Sequence, residues 1–354
     1  MDTAKLLKST RFARILKLDD DTVVKSIQKD YSIAPHDPYQ ELSILQKLNR
    51  QEPNNDNIIR LISSEITDED INLVFPFYKM SLQDFLQQSC QKTSNNPYYS
   101  IGEDTIVKYR YRFDTNKYCY DFFNQLVVGL DFIHSQKIIH RDMKPQNVML
   151  DFIDEDKIIL KIIDFGIAYD FKDNQKEDKD NLITDVSTSI YKAPELLFGV
   201  KNYSYSVDIW SLFIMLTQWL QKDRLSFTNI EYIPAIVDNG ASNDEVHLDA
   251  GSDIKLIFSI FEKFGVPSKE QWSQVIEFGS SDAFIGMFSG YDTSTYFYNK
   301  TKEEQKSLLL EWLPGLLTIE NPQHTEKLIE CCLGMVHYQS TLRISTEQLL
   351  KILN

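Results

Sequence analysis

His140-Arg141-Asp142-Met143-Lys144-Pro145-Gln146-Asn147 is a dense polar run set between two apolar ones, Ile138-Ile139 before it and Val148-Met149-Leu150 after it. Both flanks read as short buried strands, so the polar residues sit on a loop held between rigid elements. That loop offers a carboxylate, an ammonium and an amide within six residues. A carboxylate can accept a proton from a hydroxyl, and an ammonium can hold a phosphate. An amide oxygen can ligate a hard cation such as magnesium. These are the parts needed to move a phosphoryl group. The competing reading is a polar turn around a satisfied core histidine, and it loses ground as further motifs accumulate along the chain.

The stretch resembles the catalytic loop of eukaryotic protein kinases, H-R-D-x-K-x-x-N. Downstream, Ile158–Ile163 reads as a buried strand ending in Asp164-Phe165-Gly166, which matches the D-F-G motif. Ala193-Pro194-Glu195 matches A-P-E, and Arg343 is the late arginine that the resemblance pairs with Glu195. Asp208-Ile209-Trp210-Ser211 matches the central helix whose aspartate braces the catalytic loop. Each triplet is weak alone, and their order along the chain carries the argument.

The resemblance implies an α+β, bilobal protein kinase fold. Residues 1–79 would form a small strand-rich N-lobe and residues 80–354 a larger helical C-lobe, with surface insertions near 89–115 and 228–253. It also implies roles. Asp142 is the base, Lys144 steadies the γ-phosphate, and Thr188 packs beside both. Asn147 and Asp164 hold Mg2+. Lys25 and Glu41 form the pair that holds the α- and β-phosphates of ATP. Phe77, Tyr78 and Met149 complete the nucleotide-binding set.

Composition sets outer bounds. The 354 residues suit two domains or one large one, and 42% hydrophobic with 12% aromatic residues gives material for a sizeable core. A net charge of −15 argues against nucleic acid as a partner and suits one that presents a basic face. Cys90, Cys119, Cys331 and Cys332 show neither metal spacing nor a disulfide framework, so a reducing compartment is expected. No apolar core follows Met1 and no run of 18 apolar residues occurs, so neither a leader nor a membrane span is expected.

In the N-lobe, Leu16-Lys17-Leu18, an Asp19-Asp20-Asp21 turn and Thr22–Ile27 give a hairpin signal that presents Lys25. Pro38–Leu48 reads as a helix with apolar residues at Leu42, Leu45 and Leu48, and Glu41 lies beside that face. Asn57–Leu61 and Asn72–Phe77 read as further strands. The second resembles the hinge that meets adenine, with Phe75 behind it. Asn116–Gln136 is a long periodic helix leading to the catalytic loop. The aromatic–basic run Tyr109–Phe113 could be a single-strand nucleic-acid platform, but the net charge favours a packed surface loop.

One motif is broken. Where kinases carry G-x-G-x-x-G, this chain has Lys8-Ser9-Thr10-Arg11-Phe12-Ala13, and all three glycines are gone. Glycine lets a backbone approach phosphates closely, so this loop is expected to stand away or move. The loss raises the alternative of a catalytically silent scaffold. The retained set of Lys25, Glu41, Asp142, Lys144, Asn147 and Asp164 favours an enzyme.

Lys144 and Thr188 resemble the serine/threonine pattern. Glu195–Lys201 and Ile257–Pro267 resemble the cyclin-dependent kinase branch. Asp164–Asp170, Thr188–Glu195 and Asp282–Phe288, together with the glycine-free loop, are similar to the monomeric cyclin-dependent-kinase-activating kinases of budding yeasts. That resemblance implies a cyclin-dependent kinase as protein substrate, a monomer, and a cytoplasmic location with the nucleus as a second one. A kinase of the same branch with another substrate is the alternative. In that branch a phosphothreonine five residues before Thr188 engages the arginine at position 141. Here that position is Ile183. One of Asp173, Glu177, Asp178, Asp180 and Asp185, with Asp185 foremost, is expected to pair with Arg141 instead. Thr184 is an acceptor one residue out of register.

Overall fold

The structure, a computed structural model, describes the chain apart from residues 1–3, 31–32, 52–54, 94–107, 112, 155, 174–175, 222–234 and 241–250. Strands β1 (Lys5–Ser9), β2 (Ala13–Lys17), β3 (Thr22–Gln28), β4 (Ser63–Ile66) and β5 (Asp70–Pro76) form an antiparallel sheet in the order β1-β2-β3-β5-β4. Helix α1 (Pro38–Asn49) packs on it. Its start is set by Asp37, whose carboxylate accepts from the Tyr39 and Gln40 N–H groups, and by Pro38 in the first turn. Leu42, Leu45 and Leu48 bury one face, and Glu41 is buried beside them.

Strand β6 (Met80–Ser81) opens the larger lobe, and the Ser81–Asp84 capping box starts α2 (Leu82–Gln88). Strands β7 (Cys90–Thr93) and β8 (Lys108–Tyr111) pair antiparallel, so the expected insertion begins and ends as a hairpin. Its centre lies outside the described residues. Phe113 closes it as a buried residue stacked on Trp219 with centroids 6.0 Å apart, which assigns this end of the aromatic–basic run to the core.

Helix α3 (Thr115–Ser135) then leads to β9 (Ile138–Ile139), the catalytic loop, β10 (Val148–Phe152), β11 (Ile158–Ile162) and β12 (Tyr169–Asp170). Strands β11, β10 and β6 form one small sheet, and β12 and β9 pair in another. Helices α4 (Pro194–Leu197), α5 (Ser206–Leu220), α6 (Asp253–Phe264), α7 (Ser273–Phe278), α8 (Ser281–Phe288), α9 (Lys302–Trp312), α10 (Pro322–Met335) and α11 (Thr346–Leu353) complete the lobe.

Helix α5 is buried along its whole length, as its largely apolar sequence favours, and it forms the axis of the lobe. Arg343 reaches Glu195 from behind in a bidentate pair, Nη1–Oε1 2.7 Å and Nη2–Oε2 3.0 Å, with neither side chain exposed. Removing one partner of such a pair costs about 3–5 kcal/mol. Cys119, Cys331 and Cys332 are buried free thiols, and burial raises each above the ordinary thiol value. Among the described residues no helix is long and apolar enough to cross a membrane.

Two expectations need correction here. Asn57–Leu61 is not a strand of the N-lobe sheet. Ile58 makes a single parallel bridge with Ile162, with Ile162 N–H donating to Asn57 O at 2.8 Å and Ile59 N–H to Ile162 O at 2.9 Å. The run stitches the small lobe to β11, and β4 takes the place in the sheet. The polar stretch 228–253 is not wholly surface, because Ala235, Ile236, Val237 and Asn239 are buried. Residues 228–234 and 241–250 lie outside the described residues.

Candidate active site

Asp208 on α5 organises the floor of the cleft. Its Oδ2 accepts from the His140 N–H at 2.8 Å and its Oδ1 from the Arg141 N–H at 2.8 Å. These bonds hold Arg141 at φ +69°, a left-handed conformation that a non-glycine residue adopts only under local constraint. The Asp142 N–H donates to His140 Nδ1 at 3.2 Å, so Nε2 carries the proton and gives it to Ile163 O at 3.0 Å.

Asp142 is thereby aimed into the cleft, where its neighbours fix the carboxylate. Thr188 Oγ1 donates to Oδ1 at 2.7 Å. Asn147 Nδ2 donates to Oδ2 at 2.9 Å, and Lys144 Nζ lies 2.8 Å from the same oxygen. Lys144 Nζ also donates to Thr188 Oγ1 at 2.6 Å. The four residues expected together are together. Because Asn147 gives its amide nitrogen to Asp142, its amide oxygen is left as a hard donor for a cation.

Lys25 on β3 joins the lobes. Its Nζ sits 2.6 Å from Glu41 Oε1 and 2.6 Å from Asp164 Oδ1. Burial opposes the charge of this ammonium, but Asp164 and Glu41 outweigh it and keep it protonated well above the ordinary lysine range. Burial likewise opposes ionisation of Asp164, and Lys25 overcomes it, holding the carboxyl well below the usual carboxylate range. Glu41 is raised, because burial exceeds the pull of Lys25. Asp164 is thus an anion at neutral pH, a second oxygen donor beside Asn147. A Cβ at Gly166 would stand 3.3 Å from Asp164 Oδ1 and 3.4 Å from Glu41 Oε2, so a larger residue would press on both carboxylates.

At the hinge, the Phe77 N–H donates to Asp21 O at 2.7 Å. The turn between β2 and β3 has taken this N–H, and the Phe77 carbonyl remains. The Phe77 ring lies 4.5 Å from Lys17 Nζ. Tyr78 is half-buried, and burial pushes its phenol up to about 12. Met149 is half-buried on β10, opposite Ser81 in register.

The glycine-free loop forms a hydrogen-bonded turn. Thr10 Oγ1 accepts from the Phe12 N–H at 3.3 Å and the Ala13 N–H at 3.0 Å, and Thr10 N–H donates to Ala13 O at 2.9 Å. Two amides at the tip are spent on the loop's own threonine.

The charged segment after Asp164 is anchored, and its contacts correct the choice of Asp185. Arg141 pairs with Glu177, Nη1–Oε2 2.8 Å and Nη2–Oε1 2.8 Å. The Ile183 N–H donates to Glu177 Oε2 at 3.0 Å. Tyr203, which sequence reasoning missed, accepts from Arg141 Nη1 at 3.1 Å and donates to Ile183 O at 2.6 Å. Asp185 is exposed and faces Lys192 at 3.4 Å.

The same segment grips α1. Lys47 pairs with the buried Asp170 at 2.5 Å, Gln40 Nε2 donates to Asp173 O at 3.0 Å, and Lys176 meets Asp37 at 2.5 Å. These contacts keep Glu41 against Lys25.

A five-stranded sheet closing over a helical lobe, with this charge set in the cleft, is the architecture of a phosphotransferase of protein side chains. The chain belongs to the protein kinase family, whose protein kinase domain matches residues 13–352. It is 40% identical over 362 aligned residues to the serine/threonine-protein kinase CAK1 of Saccharomyces cerevisiae, covering 98% of this chain and 96% of that one. Its fold is similar to a chain in the solved structure of the CAK complex from Chaetomium thermophilum bound to ATP-gamma-S, with a TM-score of 0.63 and 20% identity over 98% of this chain and 88% of that one. The protein is a serine/threonine protein kinase, and ATP is its phosphoryl donor.

Proposed function

We propose that this kinase phosphorylates the activation-segment threonine of a cyclin-dependent kinase, that it does so as a single chain, and that magnesium is held by Asn147 and Asp164. The observation that carries the chemistry is the closed set of bonds around Asp142, with Thr188 on one carboxylate oxygen and Asn147 and Lys144 on the other. In transfer, Asp142 orients the substrate hydroxyl and accepts its proton. Lys144 neutralises charge on the moving phosphoryl group. Lys25 holds the α- and β-phosphates, positioned by Glu41. Asn147 and Asp164 present hard oxygens, the donor type magnesium requires, and the ion would supply positive charge to the phosphates.

The 40% identity to CAK1 over nearly the whole chain supports the substrate, and a net charge of −15 suits a substrate with a basic docking face. Action as a single chain is supported by two contacts that this chain makes with itself. Arg141 takes a carboxylate from Glu177, and α1 is held in place by Asp170, Asp173 and Lys176. The proposed location is the cytoplasm, with the nucleus as a second one.

The test offers an intact cyclin-dependent kinase and a short proline-directed peptide side by side with ATP and magnesium. Transfer to the intact kinase is expected. Efficient transfer to the peptide with none to the intact kinase would overturn the substrate assignment.

A further inference from the structure

The turn between β1 and β2 cannot grip phosphates as a glycine loop does, since Thr10 already occupies the Phe12 and Ala13 amides. Something else must hold it over the cleft. The Phe12 ring at its tip is stacked on the His36 imidazole, centroids 3.6 Å apart and planes 22° apart. The Arg11 guanidinium also lies over Phe12, at 5.7 Å. His36 is half-buried just before α1, one residue ahead of its capping Asp37. It lies within the electrostatic field of Asp164, Lys25, Asp142 and Lys144, at the mouth of the phosphate site.

Resting on the reading that ATP phosphates lie beneath this turn, we propose that Phe12 and His36 form a ring-on-ring latch that positions the glycine-free loop over them, with His36 a positioning residue. The stack ties the loop tip to the foot of α1, the helix that carries Glu41. One contact therefore links the loop tip to the element that sets the Lys25–Glu41 pair. Burial lowers the His36 imidazole from its ordinary value, which favours the uncharged ring in a latch that acts by contact. An aromatic contact of this kind shifts a closed–open equilibrium by roughly twofold to tenfold.

The test titrates ATP–magnesium, and separately adenosine, into wild type, H36A, F12A, the double variant and H36F, with kcat and KM for ATP measured on each. H36A and F12A should each weaken ATP by roughly threefold to tenfold while adenosine, which has no phosphates, stays within about twofold. The loss should appear in KM with kcat nearly unchanged. The double variant should be no weaker than either single, and H36F, which keeps a ring, should restore ATP binding. Unchanged ATP affinity in H36A, equal loss for ATP and adenosine, multiplied losses in the double variant, or no rescue by H36F would each overturn the latch. Wild type that binds adenosine but not ATP would overturn the phosphotransfer reading and the latch with it.

Discussion

On the floor of the cleft, Asp142 receives donors on both oxygens, and the loop beneath it is pinned by the buried Asp208 and by a buried Arg141–Glu177 pair. On the roof, Thr10 caps its own turn and Phe12 rests on His36. The floor positions charge through short, buried, directional bonds, where a low local dielectric magnifies each error. The roof positions a loop through side-chain contact. The floor therefore governs the chemical step and the roof governs nucleotide retention. A kinase can lose its phosphate-binding glycines while the floor stays intact.

The sharpest way to break this comparison is Asp142→Asn. It keeps the shape and removes the base, so kcat should fall by about 10²–10⁴ with the melting temperature nearly unchanged. Transfer at wild-type rates in that variant would remove Asp142 from the mechanism. Next in size is a pair across the two regions. Lys25→Ala should lower kcat/KM by about 10² or more, because it strands Glu41 and Asp164. Thr10→Ala should lower it by less than about tenfold, since its amides serve the turn itself. Comparable losses would show that the turn still clamps phosphates through its backbone.

Smaller again is the brace under the floor. Glu177→Gln leaves the Arg141 charge facing a neutral amide, and kcat should fall by about tenfold, with faster proteolysis after residue 170. Asp185→Asn should stay within about twofold. The reverse order would return the pairing role to Asp185.

What was legible in the sequence follows the same division. The floor could be read because its residue types recur at short fixed spacings, so Asp142, Lys144 and Asn147 fell into place from eight residues. Lys25, Glu41, Asp164, Glu195 with Arg343, and Asp208 followed from their order along the chain. Glu177 was not singled out from its neighbours, because five carboxylates in that segment are chemically alike. Tyr203 and the Ile183 N–H select among them, and neither is marked locally.

That Asp21 O takes the Phe77 N–H was not legible, because that carbonyl belongs to the turn of another hairpin. Asn57–Leu61 looked like a sheet strand because an apolar run does not say which lobe it will bury against. His36 had no signal at all. A lone histidine before a helix acquires meaning only when Phe12 is brought over it.

The account's central claim is that one unphosphorylated chain, working through Asp142, modifies a folded kinase. The direct measurement uses protein made in bacteria, treated with phosphatase, and mixed with an intact cyclin-dependent kinase, ATP and magnesium, followed by mapping of the modified residue. The account predicts phosphate on the activation-segment threonine of the substrate, with no added subunit, and its loss in Asp142→Asn. No transfer, or transfer that appears only after Thr184 of the enzyme is itself phosphorylated, would contradict it.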